Sequence, residues 1–283
     1  MDKILRISSY KGVAYMVLAA LLFSVMHVLV RLSSEIPTIE IIFFRSLVIC
    51  LLSIQFLIKQ KTLPRKESMK DLLGRSFFGA LGLFLFYFTI KNMPLSTAVT
   101  LQYLSPVFAT ISCVWLIKEA IHRRQYLFFA VAFLGVIIIK GFDSNVSVLY
   151  FMLAIVSAFF SGLSIVFIRK LRHESPRLIV AAYSIFLLVV SALLCLFSWV
   201  TPTLEELIYL VLIGVVTYIA QYYMTLSFQV SKVNRVAPVK YIGIVFSAFF
   251  GFIMFSERLS FMIILGISLI LIGITANAIY RSK

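Results

Sequence analysis

The chain has 283 residues, of which 62% are hydrophobic and 13% charged, and its mean hydropathy is +1.06. A soluble domain sits near half apolar and a quarter charged, so this composition excludes a water-soluble fold and makes a lipid bilayer the partner of most of the surface. The net charge of +15 invites a nucleic-acid partner, but the placement of the basic residues, described below, excludes one.

The apolar residues come in long runs, and a spanning helix needs about 20 of them. Ten runs qualify: Val13–Val30, Ile41–Ile58, Leu72–Ile90, Leu95–Ile117, Tyr126–Ile139, Val146–Ile168, Leu178–Val200, Leu207–Phe228, Val236–Phe255 and Leu259–Ile279. The fifth is short and borrows Gln125 and Lys140 by snorkelling. A porin-like barrel would alternate apolar and polar residues instead. The predicted class is therefore all-α integral membrane with ten transmembrane helices. With the N-terminus in the cytoplasm, twenty of the 26 basic residues fall in inner segments, Arg75 among them. Only Arg31, Lys91, Lys140 and Arg258 fall outside, and Arg45 and Lys240 lie within spans. That skew is the positive-inside rule, so the charge anchors the chain and sets its topology, with both termini cytoplasmic.

The first run carries His27, which reads equally as a substrate or proton ligand and as a neutral ring bonded to a neighbouring helix. The second carries Arg45, a charge expected near the outer mouth, with Glu40 close by. The fourth reads Gln102-Tyr103-Leu-Ser-Pro106, and Pro106 frees the carbonyl four residues earlier, which opens backbone toward a cavity. Glu119 follows in the turn. In the sixth, Ser157, Ser161 and Ser164 beside Gly162 fit close helix packing better than ligand binding. The eighth offers Gln221 among tyrosines. The ninth offers Pro238, Lys240 and Tyr241. A lysine inside a span costs about 2.5–3.5 kcal/mol on insertion scales, so Lys240 is expected to face protein or water, with snorkelling to the surface as the plainer reading. Glu257 closes that span.

The fourth and fifth runs recur 138 positions later, with Tyr103 on Tyr241, Glu119 on Glu257 and Gly135 on Gly273. The chain thus reads as one five-span unit written twice, residues 1–141 and 142–283. Five is odd, so the second unit enters the membrane inverted, and a site at the interface of two inverted repeats is the build of many secondary transporters. Asp143 and Arg172 then fall on opposite faces of the membrane. The second half has Ile244 where Pro106 would predict a proline, so the two halves are expected to bend at different depths. A central cavity lined by spans 1, 3, 4, 6, 8 and 9 is expected.

These residues resemble the drug/metabolite transporter superfamily, in its EamA-type ten-helix branch. The carrying motifs are Tyr103-Leu-Ser-Pro106-Val-Phe and Lys118-Glu119 in the first half, and Ala237-Pro238-Val-Lys240-Tyr241 and Ser256-Glu257-Arg258-Leu in the second. Arg45 stands where this family often has an arginine. The resemblance implies a secondary transporter of a bacterial inner membrane working by alternating access. It also implies a pathway lysine at Lys240, as in related nucleotide-sugar carriers.

Enzyme readings find no support. There is no phosphate loop, no metal-binding helix and no pair of carboxylates at one depth. Cys50, Cys113 and Cys195 lie in spans without metal or redox spacing, and read as packing residues. No cofactor, metal or nucleic acid is expected, and a monomer suffices although a homodimer is possible. The substrate-binding set is His27, Gln102, Tyr103, Gln221, Lys240 and Tyr241. The structural or gating set is Arg45, Pro106, Glu119, Pro238 and Glu257. No carboxylate lies mid-span, so exchange or facilitated transport is expected rather than strict proton coupling. Cation plus aromatics suits an amino acid or related carboxylate, then a nucleotide-like or phosphate-bearing cofactor. A non-transporting scaffold or receptor is the alternative of a different class. Glu119 and Glu257 are expected to accept hydrogen bonds from the start of the helix that follows each.

Overall fold

The computed structural model describes residues 2–60, 64–117, 147–197, 199–230, 239–257 and 261–281, with isolated positions between 127 and 138. Ten helices are described: α1 (Asp2–Leu32), α2 (Thr38–Gln60), α3 (Met69–Asn92), α4 (Leu95–Gln102), α5 (Ser105–Ile117), α6 (Val148–Lys170), α7 (Pro176–Cys195), α8 (Leu204–Val230), α9 (Ile242–Phe255) and α10 (Phe261–Arg281). Since α4 and α5 divide a single expected span, nine of the ten expected spans are described as helices. The fifth is seen only at scattered helical positions such as Leu134 and Gly135.

The helix starts follow from local chemistry. Pro37 and Pro94 directly precede α2 and α4, and Pro176 opens α7, where a missing N–H costs nothing. Ser147 caps α6 by accepting from the Leu149 N–H at 3.3 Å. At α8, Thr203 and Glu206 form a reciprocal capping box. The Glu206 carboxylate accepts from the Thr203 N–H at 2.7 Å, and the Thr203 hydroxyl accepts from the Glu206 N–H at 3.3 Å.

Among the described residues six helical segments are long and apolar enough to cross a membrane: Lys11–Leu32, Thr38–Gln55, Lys66–Asn92, Val148–Lys170, Pro176–Cys195 and Leu204–Ser227. The outer surface carries exposed Leu51, Phe77, Leu196, Phe197, Phe252 and Phe261, as expected of a lipid-facing wall. Inside, the two halves of the chain interlock: α1 lies along α8, α3 along α6 and α2 along α7, while α9 packs on α1 and α4. Small residues let these helices approach. A Cβ on Gly82 of α3 would fall 2.5 Å from the Ser161 hydroxyl, and one on Gly162 would fall 2.7 Å from the Ser105 carbonyl. The serine row of α6 does pack, as its spacing implies. The Ser157 hydroxyl donates to the Gly82 carbonyl at 2.7 Å.

Candidate functional site: a basic cavity between the two halves

The site begins where a helix breaks. α4 ends at Gln102, Tyr103 and Leu104 form a turn, and α5 restarts at Ser105 with Pro106 as its second residue. This is the interruption that Pro106 predicts. In the second half Val239 and Lys240 are helical, Tyr241 is a turn, and α9 starts at Ile242. The two interruptions fall on Tyr103 and Tyr241, 138 positions apart. The interruptions that the described residues show therefore coincide between the halves, while Pro238, where the second half is expected to bend, lies outside them. A packing reason lies at Gly243. A Cβ there would collide with the Tyr103 hydroxyl, so the break in one half seats the tyrosine of the other. The Tyr103 and Tyr241 rings meet edge to face at 5.6 Å.

Gln102 and Lys240, the residues before each break, both face a cavity of about 140 Å³. One water needs ~10–15 Å³ on this measure, so the space suits a small solute. α1 contributes Phe23, Met26 and His27; α3 contributes Arg75, Gly79, Leu83 and Phe86; α6 contributes Ser161, Ser164, Ile165 and Ile168; α8 contributes Gln221 and Met224. Two further helices join the expected set, because α2 and α7 lie against each other and present Arg45 and Tyr183 inward. Arg45 is only 1% exposed and lines this cavity, which corrects its expected place near a mouth. Glu40 does not neutralise it. That carboxylate accepts from the Val200 N–H at 2.6 Å, bridging the start of α2 to the segment before α8.

The expected binding residues His27, Gln102, Tyr103, Gln221 and Lys240 all line the cavity. Tyr241 does not; it stands behind Tyr103. Pro238 and Glu119 lie outside the described residues. Gln102 is held on both sides, its amide donating to the Ser161 hydroxyl at 2.7 Å and its carbonyl accepting from Ser157 at 3.0 Å. The α6 serines thus serve the site as well as the packing. His27 lies edge-on to Phe86 at 5.1 Å, and its Nδ1 has no partner among the described residues. The Lys240 ammonium lies 5.6 Å from the Tyr103 ring centroid, a cation–π contact.

Arg75 was assigned from the sequence to a basic cytoplasmic segment and is instead buried in the wall. Its guanidinium donates to the Ser164 hydroxyl at 2.6 Å and stacks 4.1 Å from the Tyr183 ring centroid. The signal for it lay in its position, three residues into the apolar run that starts at Leu72. Arg45, Arg75 and Lys240 make the wall strongly basic, and no Asp or Glu among the described residues lines it.

The cavity lies near the middle of the bundle, with lining residues from Phe86 and Val99 toward one end to Ile168 and Lys240 toward the other. The end where α1 and α3 finish and α4 begins is tied by polar contacts. Arg31 donates to the carbonyls of Ile90, at 2.5 Å, and Met93, and Lys91 donates to the carbonyl of Ile36. Ser256 adopts a left-handed conformation (φ 50°), and the Glu257 N–H bonds back to the Gly251 carbonyl at 3.1 Å, a Schellman-type close. The turn aims the Glu257 carboxylate at the first turn of α4. There it accepts from the N–H groups of Leu95 at 2.5 Å and Ser96 at 3.2 Å, and from the Ser96 hydroxyl at 2.7 Å. Among the described residues the helix it caps is thus α4 of the other half; residues 258–260, which lead into α10, lie outside them. Glu257→Gln should cost about 1–2 kcal/mol of stability, as removal of a helix cap does, with thermal stability and transport falling together. A melting curve unchanged beside lost transport would make Glu257 part of the transport machinery.

The EamA-like transporter family matches this chain twice, over residues 10–141 and 148–278. The pseudopaline exporter CntI of Pseudomonas aeruginosa is 34% identical over 277 residues, 96% of each chain. The S-adenosylmethionine uptake transporter of Rickettsia prowazekii is 24% identical over 87% of this chain and 85% of its own. Human solute carrier family 35 member G1 is 27% identical over 87% of this chain and 73% of its own. A solved crystal structure shares the fold with a TM-score of 0.71 over 96% of this chain and 98% of that one, at 16% identity. A multi-pass helical bundle enclosing a polar cavity, with two matches to one family model, has a single description: the chain belongs to the EamA-like transporter family.

Proposed function

We propose that this protein is a secondary transporter of a small carboxylate-bearing metabolite, an amino acid or a related compound, across a bacterial inner membrane by alternating access. The observation that carries the substrate class is the basic cavity wall, with Arg45, Arg75 and Lys240 and no facing acid. Ionised groups inside a membrane protein are expensive and mark pathways, and a carboxylate is the counter-charge this wall lacks. Gln102, Gln221 and Tyr103 add donors, and Phe86 and Tyr183 add flat faces for the rest of the solute. A nucleotide-like, phosphate-bearing solute is the second reading, favoured by the same cations and rings; the cavity of about 140 Å³ suits the smaller class better. A scaffold has no use for three cations lining a cavity in its centre.

The two family matches and the paired interruptions at Tyr103 and Tyr241 support two repeats, residues 1–141 and 142–283, in ten spans inverted about the membrane plane. With both termini cytoplasmic, the Glu257–α4 contact lies at the outer end. One relative is an exporter by name and another an uptake transporter, so both directions are open to this fold. Exchange or facilitation fits better than proton coupling, since the buried Glu40 is engaged with Val200 at the start of α2 and does not line the cavity. A thermal-shift panel of metabolites on purified protein tests the substrate class. Small carboxylates should raise the melting temperature; stabilisation by lipophilic cations alone would overturn the reading.

A further inference from the structure

Arg31 shows how an arginine is used to brace this fold, since its guanidinium donates to two backbone carbonyls, those of Ile90 and Met93. Arg75 is built differently. Its guanidinium lies flat on Tyr183, 4.1 Å from the ring centroid, and one nitrogen donates to the Ser164 hydroxyl at 2.6 Å. The Tyr183 hydroxyl in turn donates to the Gly79 carbonyl at 3.1 Å, so the platform under the arginine is itself fixed. Gly79 leaves the notch in which the guanidinium sits, because a Cβ there would collide with its terminal nitrogen. Arg75 is 7% exposed, and its Nε has no partner among the described residues. Arg45 is 1% exposed, and its Nε and one terminal nitrogen are likewise without partners. Both arginines line the cavity that Lys240 enters from the other half of the chain.

We propose that Arg75, fixed by Tyr183 and Ser164 in the notch left by Gly79, is a second anion-binding subsite, so that the transported solute carries two anionic groups. This rests on the reading of the cavity as an anion pathway. One group meets Lys240 beside Gln102, and the other meets Arg75, with Arg45 adding charge to the wall between α2 and α7. A monoanion leaves two of the three cations uncompensated in a medium where each costs about 2.5–3.5 kcal/mol. A dianion supplies acceptors to donors that already lack them, and hydrogen bonds to charged groups are the strong ones. The shared chemistry is a pair of anionic groups on a short chain, met by a dicarboxylate or by a phosphorylated carboxylate.

The test is isothermal titration of the purified full chain in detergent with succinate, glutarate, adipate and 3-phosphoglycerate, against butyrate and γ-aminobutyrate. At least one dianion should bind about tenfold or more tighter than butyrate, the worth of one charge-assisted contact. The dicarboxylate series and 3-phosphoglycerate separate the two sources. Arg75→Gln and Gly79→Ala should each erase that preference, lowering dianion binding about tenfold more than butyrate binding. In Gly79→Ala the added Cβ meets side chains and no backbone: the movable end of the arginine first, then the Ser164 hydroxyl and the Tyr183 ring edge, each at 2.9 Å, so a melting curve is recorded for each variant beside the titration. Equal binding of mono- and dianions by the unaltered protein, or a preference retained in folded Arg75→Gln, overturns the second subsite alone. Absence of binding by any anion overturns it together with the function proposed above.

Discussion

Gly162→Val should leave little or no monodisperse protein after solubilisation, whereas Gly79→Ala should purify with a smaller loss of stability. Both glycines lie in helices, where alanine would ordinarily gain up to about 1 kcal/mol. The obstructions decide the difference. At Gly162 a Cβ would meet the backbone of the neighbouring helix, the Ser105 carbonyl at 2.7 Å and the Ala109 nitrogen at 2.8 Å. Backbone cannot rotate aside, so α5 and α6 must separate. Overpacking of this kind costs about 1–3 kcal/mol or more for a few added atoms, and valine adds three carbons with one stiff rotamer. The separation would also shift Ser161, the anchor of Gln102. Size-exclusion profiles and melting curves of the two variants check this. A Gly162→Val protein as stable as its parent would mean that α5 and α6 are not packed this closely.

Lys240→Ala should lower anion binding and transport by about a hundredfold, the lower end of what truncating one partner of a buried charge pair costs, and should not lower stability. The signs come from one fact. Without a solute, the Lys240 ammonium shares the cavity with Arg45 and Arg75 and no carboxylate faces it. Its contacts are a ring face and polar side chains, so removal relieves repulsion and lost solvation rather than breaking a salt bridge. The melting temperature of the empty protein should therefore hold or rise while ligand-induced stabilisation disappears. Snorkelling of Lys240 to the surface predicts the opposite: unaltered binding and transport.

The sequence made the membrane class and the helical spans legible because hydropathy and charge skew depend on composition over 20 residues and tolerate local error. Five cavity residues, His27, Gln102, Tyr103, Gln221 and Lys240, were also visible, each as a polar group that an apolar run does not need. Arg75 was missed because it lies near the end of its run, where a basic residue reads as a topology anchor; only the fold shows Tyr183 and Ser164 around it. Tyr183 carried no signal, since a tyrosine in a membrane helix reads equally as packing. Arg45 was seen but misplaced, because depth along a helix does not say which way a side chain faces. Glu257 reads as a cap, and the structure gives it a partner that the sequence does not show, the start of α4. Nothing local to Ser256-Glu257 says that the start of α4, about 160 residues earlier, lies within reach.

The most direct measurement is counterflow into proteoliposomes that contain only this protein. Vesicles are loaded with an excess of each small anion that stabilises the purified chain, and entry of the labelled compound is followed. The account predicts transient accumulation driven by the internal excess, lost in Lys240→Ala, with no entry of a lipophilic cation such as tetraphenylphosphonium. Movement of the cation alone, or anion entry that persists in Lys240→Ala, would contradict an anion pathway through the basic cavity.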